Sequence, residues 1–504
     1  MGKTLVIAEK PSVATDIAKV LKAKRDKSKD FFENDEYVIS SAVGHLLELA
    51  VPEKHDIKRG KWSFDKLPHL PPKFTLKPIA KSESRLKVLK RLIKRKDIDT
   101  LVNACDAGRE GELIFRYIIQ HTKSKQPSKR LWLQSMTPAA IREGFTQLRD
   151  NESMLPLAAA ATCRSEADWL VGINGTRAMT AFNSKGGGFF LTTVGRVQTP
   201  TLAVVVEREQ AIKDFISQDY WEVHATFQAD AGEYTGRWFD ENFKRDENDA
   251  HKRTERIWDQ AKAETIKTTC EGQLGEVTEE SKPSKQAPPL LYDLTTLQRD
   301  ANSRFGFSAR NTLAIAQALY ERHKVCTYPR TDSKALPEDY PPTVRKTLEQ
   351  LAAGHYGQLA DKVLKNDWVV PGNKRIFNNA KISDHFAIIP TLQAPKNLKE
   401  QEQKVYDLIA KRFLAIFYPS AEFEVTTRIT RVQNEPFKTE GKVMVKPGWH
   451  EVYGKDQQGE TLTPIKSGEK VKTTGVEVEG KETKPPARYS EAALLSAMEH
   501  AGRL

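Results

Sequence analysis

The 504-residue sequence is 39% hydrophobic, enough to build real cores in about three or four domains. No apolar run approaches the ~20 residues of a membrane span, and Met1 to Lys10 leads straight into a strand pattern without a secretory signal, so a cytoplasmic protein is expected. A net charge of +12 points to a polyanionic partner, while the 4 cysteines (Cys105, Cys163, Cys270, Cys326) lack any Cys-x-x-Cys spacing, which argues against a zinc ribbon or a disulfide framework.

Thr4–Ala8 reads as a buried strand followed by Glu9-Lys10-Pro11-Ser12 and a helix with Val13, Ile17, Val20 and Leu21 on one face. Tyr37–Val43 is a second strand, running into Gly44-His45. Thr100–Cys105 is a third, running into Asp106-Ala-Gly108-Arg-Glu110-Gly-Glu112. Leu131–Leu133 is a fourth, before a helix capped by Thr137-Pro138. Alternating strands and helices predict a mostly parallel sheet whose ligands gather at the carboxyl ends of the strands, where Glu9, Lys10, His45, Asp106 and Glu110 all fall. Asp106 and Glu110 repel unless neutralised, and Mg2+ relieves that cost with one or two protein carboxylates; the alternative is that acids simply favour a first helical turn.

Ser84–Lys96 is an amphipathic helix with a basic outer face. In the loop Gly60–Pro68, Trp62 stands beside cations and could stack on an unpaired base or pack beneath the loop. Met154–Val206 reads as helical and carries Arg164, Asp168 and Arg177, then Thr193-Val194-Gly195-Arg196-Val197-Gln198. Arg196 and Gln198 supply donors for phosphates or base edges, and the glycines permit close backbone approach. A helix pair tied by salt bridges fits equally well.

Tyr220–Gln228 and Tyr234–Phe239 alternate like strands, as do Glu422–Val432 and Lys442–Val445, so two distant blocks are expected to form one β domain. The polar stretch Asp240–Arg256 reads as an insertion. After a linker at Lys285–Pro289, Asp293–Tyr320 reads as two helices leading to Val325-Cys-Thr-Tyr328-Pro-Arg330-Thr331-Asp-Ser333. A phenol, a guanidinium and two hydroxyls so close together suit phosphate chemistry. Pro329 holds Tyr328 extended, but ionising a phenol at neutral pH costs about 4 kcal/mol, which a nearby cation must offset.

These motifs, together with Arg304–Ala309, Leu319-Tyr-Glu321, Asp384-His385-Phe386-Ala-Ile-Ile-Pro390 and Pro485–Glu499, resemble the type IA DNA topoisomerases, nearest the topoisomerase III branch. The resemblance spans essentially the whole chain. It implies a multidomain α/β plus α and β architecture: a Toprim Rossmann-like domain (1–150) within a four-domain toroidal ring. The other domains are a helical single-strand-binding domain (151–216 and 481–504), a β arch or hinge (217–282 and 405–480) and a helical domain carrying the tyrosine (283–404).

By the same resemblance, Tyr328 attacks one DNA strand and holds its 5' phosphate, Lys10 serves the leaving 3' oxygen, Arg330 stabilises the phosphate, and Glu9 with Asp106 and Glu110 holds one Mg2+. Gly108 stands where many relatives carry a second aspartate, so one Mg2+ site is expected and a second is left open. Trp62, His45, Arg164, Asp168, Arg177, Val194, Gly195, Arg196, Val197, Gln198, Thr331, Ser333 and His385 are the expected DNA contacts. The implied function is ATP-independent relaxation and decatenation, on single-stranded or negatively supercoiled DNA with RNA left open, by a bacterial monomer with no membrane association and a helicase or single-strand-binding protein as partner. Asp240–Arg256 would be the decatenation loop.

Two other classes compete: a Toprim nuclease or primase, which leaves Tyr328 idle, and a non-catalytic nucleic-acid clamp, which needs neither metal nor tyrosine. Since relatives continue past the Leu494–Glu499 motif whereas this sequence stops at Leu504, weak plasmid relaxation by the 504-residue form is also expected.

Overall fold

The computed structural model describes residues 2–51, 62–245, 249–454, 459–460 and 462–501. Gly60 and Lys61 of the Trp62 loop, and residues 246–248 of the polar insertion, lie outside that set.

The amino-terminal sheet is built around β1 (Lys3–Ala8), which is flanked in parallel by β2 (Tyr37–Ser41) and β3 (Ile98–Ala104). Its residues are apolar in succession because both faces are covered. Leu5 and Ile7 enter one core with α2 (Glu83–Ile93) and α3 (Arg109–Thr122), whereas Val6 and Ala8 enter another with α1 (Pro11–Val20) and α4 (Pro138–Thr146). Outside β3 lies β4 (Ser128–Arg130), and short antiparallel strands at 24–25, 32–33 and 149–150 complete seven. The sequence placed this fourth strand at Leu131–Leu133. The paired residues are instead Ser128–Arg130, opposite Leu101–Asn103, and the apolar run marks the buried exit from the strand.

The expected helical stretch 154–206 is two helices, α5 (Leu155–Asn183) and α6 (Gln198–Lys213), separated where Gly187 and Gly188 take φ of +99° and +83°. No helix among the described residues is long and apolar enough to cross a membrane.

The two distant β blocks do pair. β5 (Asp219–Ala229), β6 (Gly232–Trp238), β7 (Leu274–Gln286), β8 (Ala421–Val432), β9 (Glu435–Lys446) and β10 (Lys470–Glu482) form one antiparallel sheet in the order β6-β5-β10-β7-β8-β9, with 459–460 added at the edge. Pairing of Arg237 and Trp238 with Lys438 and Phe437 joins β6 to β9 and closes the sheet around Phe227, Val432 and Phe437, with α7 (Gln260–Cys270) packed on it.

A helical unit follows: α8 (Leu294–Phe305), α9 (Ala309–Glu321), α10 (Pro341–Ala352), α11 (Gly357–Lys365) and α12 (Glu400–Ala415). The sequence division assigned residues from 405 onward to the β arch. Val405, Tyr406, Ile409, Phe413 and Phe417 instead share the core of Leu297, Ala316, Val325 and Ile388, so packing carries the helical unit through Tyr418. Helix α13 (Glu491–Glu499) returns to this unit, where its Glu491 accepts from the Ala309 N–H at 2.5 Å.

Candidate active site

Because β1 and β3 are parallel neighbours with Ala8 opposite Ala104, the residues that follow them emerge side by side. Lys10 precedes a proline and is held extended (φ −120°, ψ 146°), which turns its side chain away from the α1 axis. Its Nζ lies 2.7 Å from Asp106 Oδ2, and the Asp106 N–H donates to Glu9 Oε2 at 3.3 Å. Asp106 is fixed from behind by Arg130, whose side chain is 2% exposed and whose guanidinium donates to the carbonyls of Asn103, Cys105 and Asp106. Nothing in the sequence marked Arg130; an arginine at a strand end reads as a surface cation until the fold buries it.

The helical unit supplies the other side. Tyr328 presents its ring to Lys10, with Nζ 4.1 Å from the ring centroid, and packs on His385 and Tyr320 with centroids 4.4 and 5.3 Å away. His385 Nε2 lies 2.9 Å from Asp106 Oδ2 and 3.2 Å from Lys10 Nζ. One nitrogen serves only one of these at a time: protonated it donates to Asp106, unprotonated it accepts from Lys10.

The Tyr328 and His385 segments are laced together. Thr327 Oγ1 donates to Ala387 O at 2.9 Å, Thr331 Oγ1 to His385 O at 2.8 Å and Ser333 Oγ to Lys381 O at 2.9 Å. Thr331 and Ser333, expected as DNA contacts, are therefore buried and spend their hydroxyls on backbone carbonyls. Arg330 is exposed and its guanidinium rests on Gln317 Oε1 at 3.2 Å.

The electrostatics of the cluster are those of crowded acids. Burial and the neighbouring Asp106 push the Glu9 carboxyl up to about 7. Burial acts to raise Asp106 too, but His385 and Lys10 outweigh it and hold Asp106 down at about 2. Burial works against the Lys10 ammonium, yet Asp106 leaves its pKa above the ordinary value. Glu110 is exposed and meets His45 Nε2 at 3.1 Å. Glu112 is buried against Arg116, Arg130 and Asn103 and so is occupied structurally.

Glu9, Asp106 and Glu110 do not bring ligand atoms within 4.8 Å of one another. Among the described residues the group that does is Glu222, His224 and Glu479. There Lys481 Nζ already stands 2.8 Å from Glu222 and 2.7 Å from Glu479, which neutralises that site without a metal. The carboxylates of Glu9, Asp106 and Glu110 are the oxygen donors that Mg2+ prefers, but they stand too far apart as placed to hold one ion together, and Lys10 and His385 already neutralise Asp106.

One acid near this cluster was missed. Asp384 comes from the His385 segment and sits where a side chain on Gly108 would begin. Burial raises its pKa, His385 opposes this, and Asp106 adds to it.

The expected nucleic-acid residues divide. Arg196, Val197 and Gln198 are exposed at the start of α6, with Arg196 Nε 3.1 Å from Asp168. Arg164 is half-buried. Val194 and Gly195 direct their N–H groups to Thr176 and Thr199, so they brace the turn. Arg177, at 7% exposure, is a correction: it lies under Trp62, 5.7 Å from its ring, and Trp62 in turn packs edge-on against Phe189.

An acidic cluster at the strand ends, faced by a tyrosine from a second unit, is the arrangement expected of a topoisomerase of the Toprim class. Residues 152–502 match the family model for DNA topoisomerase and residues 4–136 the Toprim domain. Similar curated proteins include DNA topoisomerase 3 of Bacillus cereus (41% identical over 514 residues, 99% of this chain and 67% of that one) and of Bacillus subtilis (40% over 512 residues, with the same coverages). Among solved structures, full-length topoisomerase I from Thermotoga maritima matches with a TM-score of 0.64 at 25% identity, covering 99% of this chain and 75% of that one. The chain belongs to the type IA DNA topoisomerases, ATP-independent isomerases that relax supercoiled DNA, and its fold class is the one the sequence implied: a Toprim domain within a multidomain type IA topoisomerase. Toprim domains generally bind Mg2+.

Proposed function

We propose that Tyr328 is the nucleophile of a reversible strand transfer on single-stranded DNA. Its phenolic oxygen bonds to phosphorus, the bond from phosphorus to the 3' oxygen breaks, and the 5' phosphate stays on the protein. The carrying observation is the placement of the Lys10 ammonium between Asp106 and the Tyr328 ring. There the Lys10 ammonium favours the phenolate as it attacks and passes a proton to the departing 3' oxygen, while the proton released by the Tyr328 phenol goes to water, from which Lys10 is recharged. Arg330, exposed beside the tyrosine, swings from Gln317 onto the phosphate. His385 holds Asp106 and stacks on Tyr328, so it fixes the two halves of the site in register.

Glu9, Asp106 and Glu110 are the residues that would hold one Mg2+, and such an ion would supply charge neutralisation for the phosphate oxygens. Arg164, Arg196 and Gln198 lead the strand toward Tyr328, with Trp62 as a stacking platform braced by Arg177. The enzyme works as a monomer, passing a second strand while the first is held and decatenating as well as relaxing. Resealing reuses the phosphotyrosyl bond. Incubating the protein with end-labelled single-stranded DNA and stopping with detergent tests this reading. Wild type is expected to leave a covalent adduct and Tyr328→Phe none, with binding changed by no more than a few-fold; an adduct formed by the phenylalanine variant would place the nucleophile elsewhere.

A further inference from the structure

Where α5 ends, the chain exposes aromatic rings that its own packing does not use. Phe182 is 56% exposed, Phe189 41% and Phe190 59%, and the Trp62 loop adds Phe64 at 47%. Single exposed apolar side chains are ordinary on a surface, but four phenyl rings gathered from two segments are not. Lys185 Nζ lies 5.1 Å from the ring centroids of both Phe64 and Phe182 and so bridges the segments. Phe189 meets Trp62 edge-on with centroids 5.9 Å apart, and Trp62 is backed by Arg177. The rings therefore continue outward from Trp62.

The backbone holds them in place. Gly187 and Gly188 turn the chain between Lys185 and Phe189 with φ of +99° and +83°. The Phe190 N–H donates to Ser184 Oγ at 3.1 Å and the Thr192 N–H to Thr180 Oγ1 at 3.0 Å, which ties the returning segment to the end of α5. From Trp169 to Val206 the sequence has no acidic residue, and its charges are Arg177, Lys185 and Arg196. In the Trp62 loop, Asp65 and Lys66 offset each other.

Rings beside cations, in a stretch free of acids, suit an unpaired nucleic-acid strand: each base offers a flat face to a ring, and each phosphate a charge to a lysine or arginine. The core of a protein interface is depleted in lysine, whereas here an ammonium lies over two of the rings. A cation–π contact at an exposed site is weak, so Lys185 exchanges a ring for a phosphate and leaves the ring face to a base.

We propose that Phe64, Phe182, Phe189 and Phe190, with Lys185, extend the single-strand path beyond Trp62 as a platform on which further bases stack without regard to sequence. This rests on the reading that the strand passes Arg196 and Trp62. The rings take no part in the chemistry; they hold the strand outside the cleavage site and lengthen the unpaired stretch that the protein prefers.

Equilibrium binding of a fluorescent single-stranded oligonucleotide to the full 504-residue chain, with Tyr328→Phe present throughout to prevent the adduct, tests this. Phe182→Ala and Phe190→Ala together are expected to weaken binding about tenfold or more, with the salt slope unchanged because no charge is lost. An abasic oligonucleotide, which has phosphates but nothing to stack, should bind this pair as it binds wild type. Tryptophan at both positions keeps the rings and is expected to hold affinity within about twofold of wild type; leucine keeps only the apolar surface and is not. Lys185→Gln should lower the log-log salt slope by about 0.7, one phosphate contact. Melting reports folding, and should the alanine pair not fold, the leucine pair decides: weakened binding supports the proposal and wild-type binding overturns it. Trp62→Ala in the same assay separates the two readings. If it weakens binding while the alanine pair binds as wild type, the extension falls and the path past Trp62 stands; if neither weakens binding, the path falls as well. A concentration-dependent dimer in sedimentation that the alanine pair abolishes, with DNA binding intact, would assign the rings to a second copy of the chain and overturn the proposal.

Discussion

Lys10 and Tyr328 belong to different units of the chain, yet the lysine Nζ lies 4.1 Å from the centroid of the tyrosine ring. The ammonium is thereby caught between an aromatic face and the Asp106 carboxylate at 2.7 Å. Such a cation favours a developing phenolate, and it loses that ring when the units move apart while Asp106, on its own unit, stays with it.

The first prediction concerns that lysine. Lys10→Gln removes the charge and the transferable proton while keeping length, so adduct formation is expected to fall about 100-fold or more, within the range usual for a general acid. Single-strand binding should change less than about twofold, since one screened charge is lost from a net +12. Quantifying adduct against time alongside a binding isotherm checks both; equal losses in the two would assign Lys10 to binding.

Glu9 gives a pH signature. Its carboxyl is at about 7 in the folded chain against an ordinary 4.5, because burial and Asp106 disfavour its charge. A raised acid holds its proton more tightly folded than unfolded, so its contribution is fully present below the unfolded value and is lost as pH rises to about 7. Glu9→Gln cannot ionise. In chelator, its stability relative to wild type is expected to grow between pH 4.5 and about 7 and to level off above. Urea melts at pH 4, 6 and 8 would show this; a constant difference across the three would mean that Glu9 is not under this strain.

Much of the site was legible because its signals are local. Glu9-Lys10-Pro11 after an apolar strand, and Tyr328-Pro329 after two helices, each declare their geometry in a few residues. What escaped depends on residues far apart in sequence. Asp384 gains its meaning from the space left by Gly108, and Arg130 from three backbone carbonyls that only the folded sheet directs at it. Thr331 and Ser333 misled for a related reason: a hydroxyl beside a candidate nucleophile suggests ligand binding, but donors are equally needed to satisfy buried carbonyls. The division at residue 405 failed because α12 is amphipathic toward a core that its sequence neighbours do not reveal.

The Thr331 hydroxyl is the next test. Thr331→Val keeps the shape and removes the bond to His385 O, leaving that carbonyl without its donor, so stability should fall by about 1–2 kcal/mol. A positioning function also predicts slower adduct formation, rescued by Thr331→Ser, which restores the hydroxyl. Loss of stability with unchanged cleavage would reduce Thr331 to packing alone.

The last prediction separates two arginines that the sequence treated alike. Arg196 is half exposed at the head of α6, where it pairs with Asp168, itself half exposed; such a pair is weak and exchangeable for a phosphate. Arg177 is buried, with its guanidinium 5.7 Å from the Trp62 ring. If Arg196 contacts a phosphate, Arg196→Ala lowers the log-log salt slope of single-strand binding by about 0.7, the value expected for one released counterion on a single strand. Arg177→Ala leaves that slope unchanged but lowers the melting temperature and weakens binding at every salt concentration, because Trp62 loses its support. Titrations of a fluorescent oligonucleotide at four salt concentrations measure both slopes. A reduced slope for Arg177→Ala with unchanged melting would mean that this arginine reaches the DNA directly, and an unchanged slope for Arg196→Ala would move the strand's path off the head of α6.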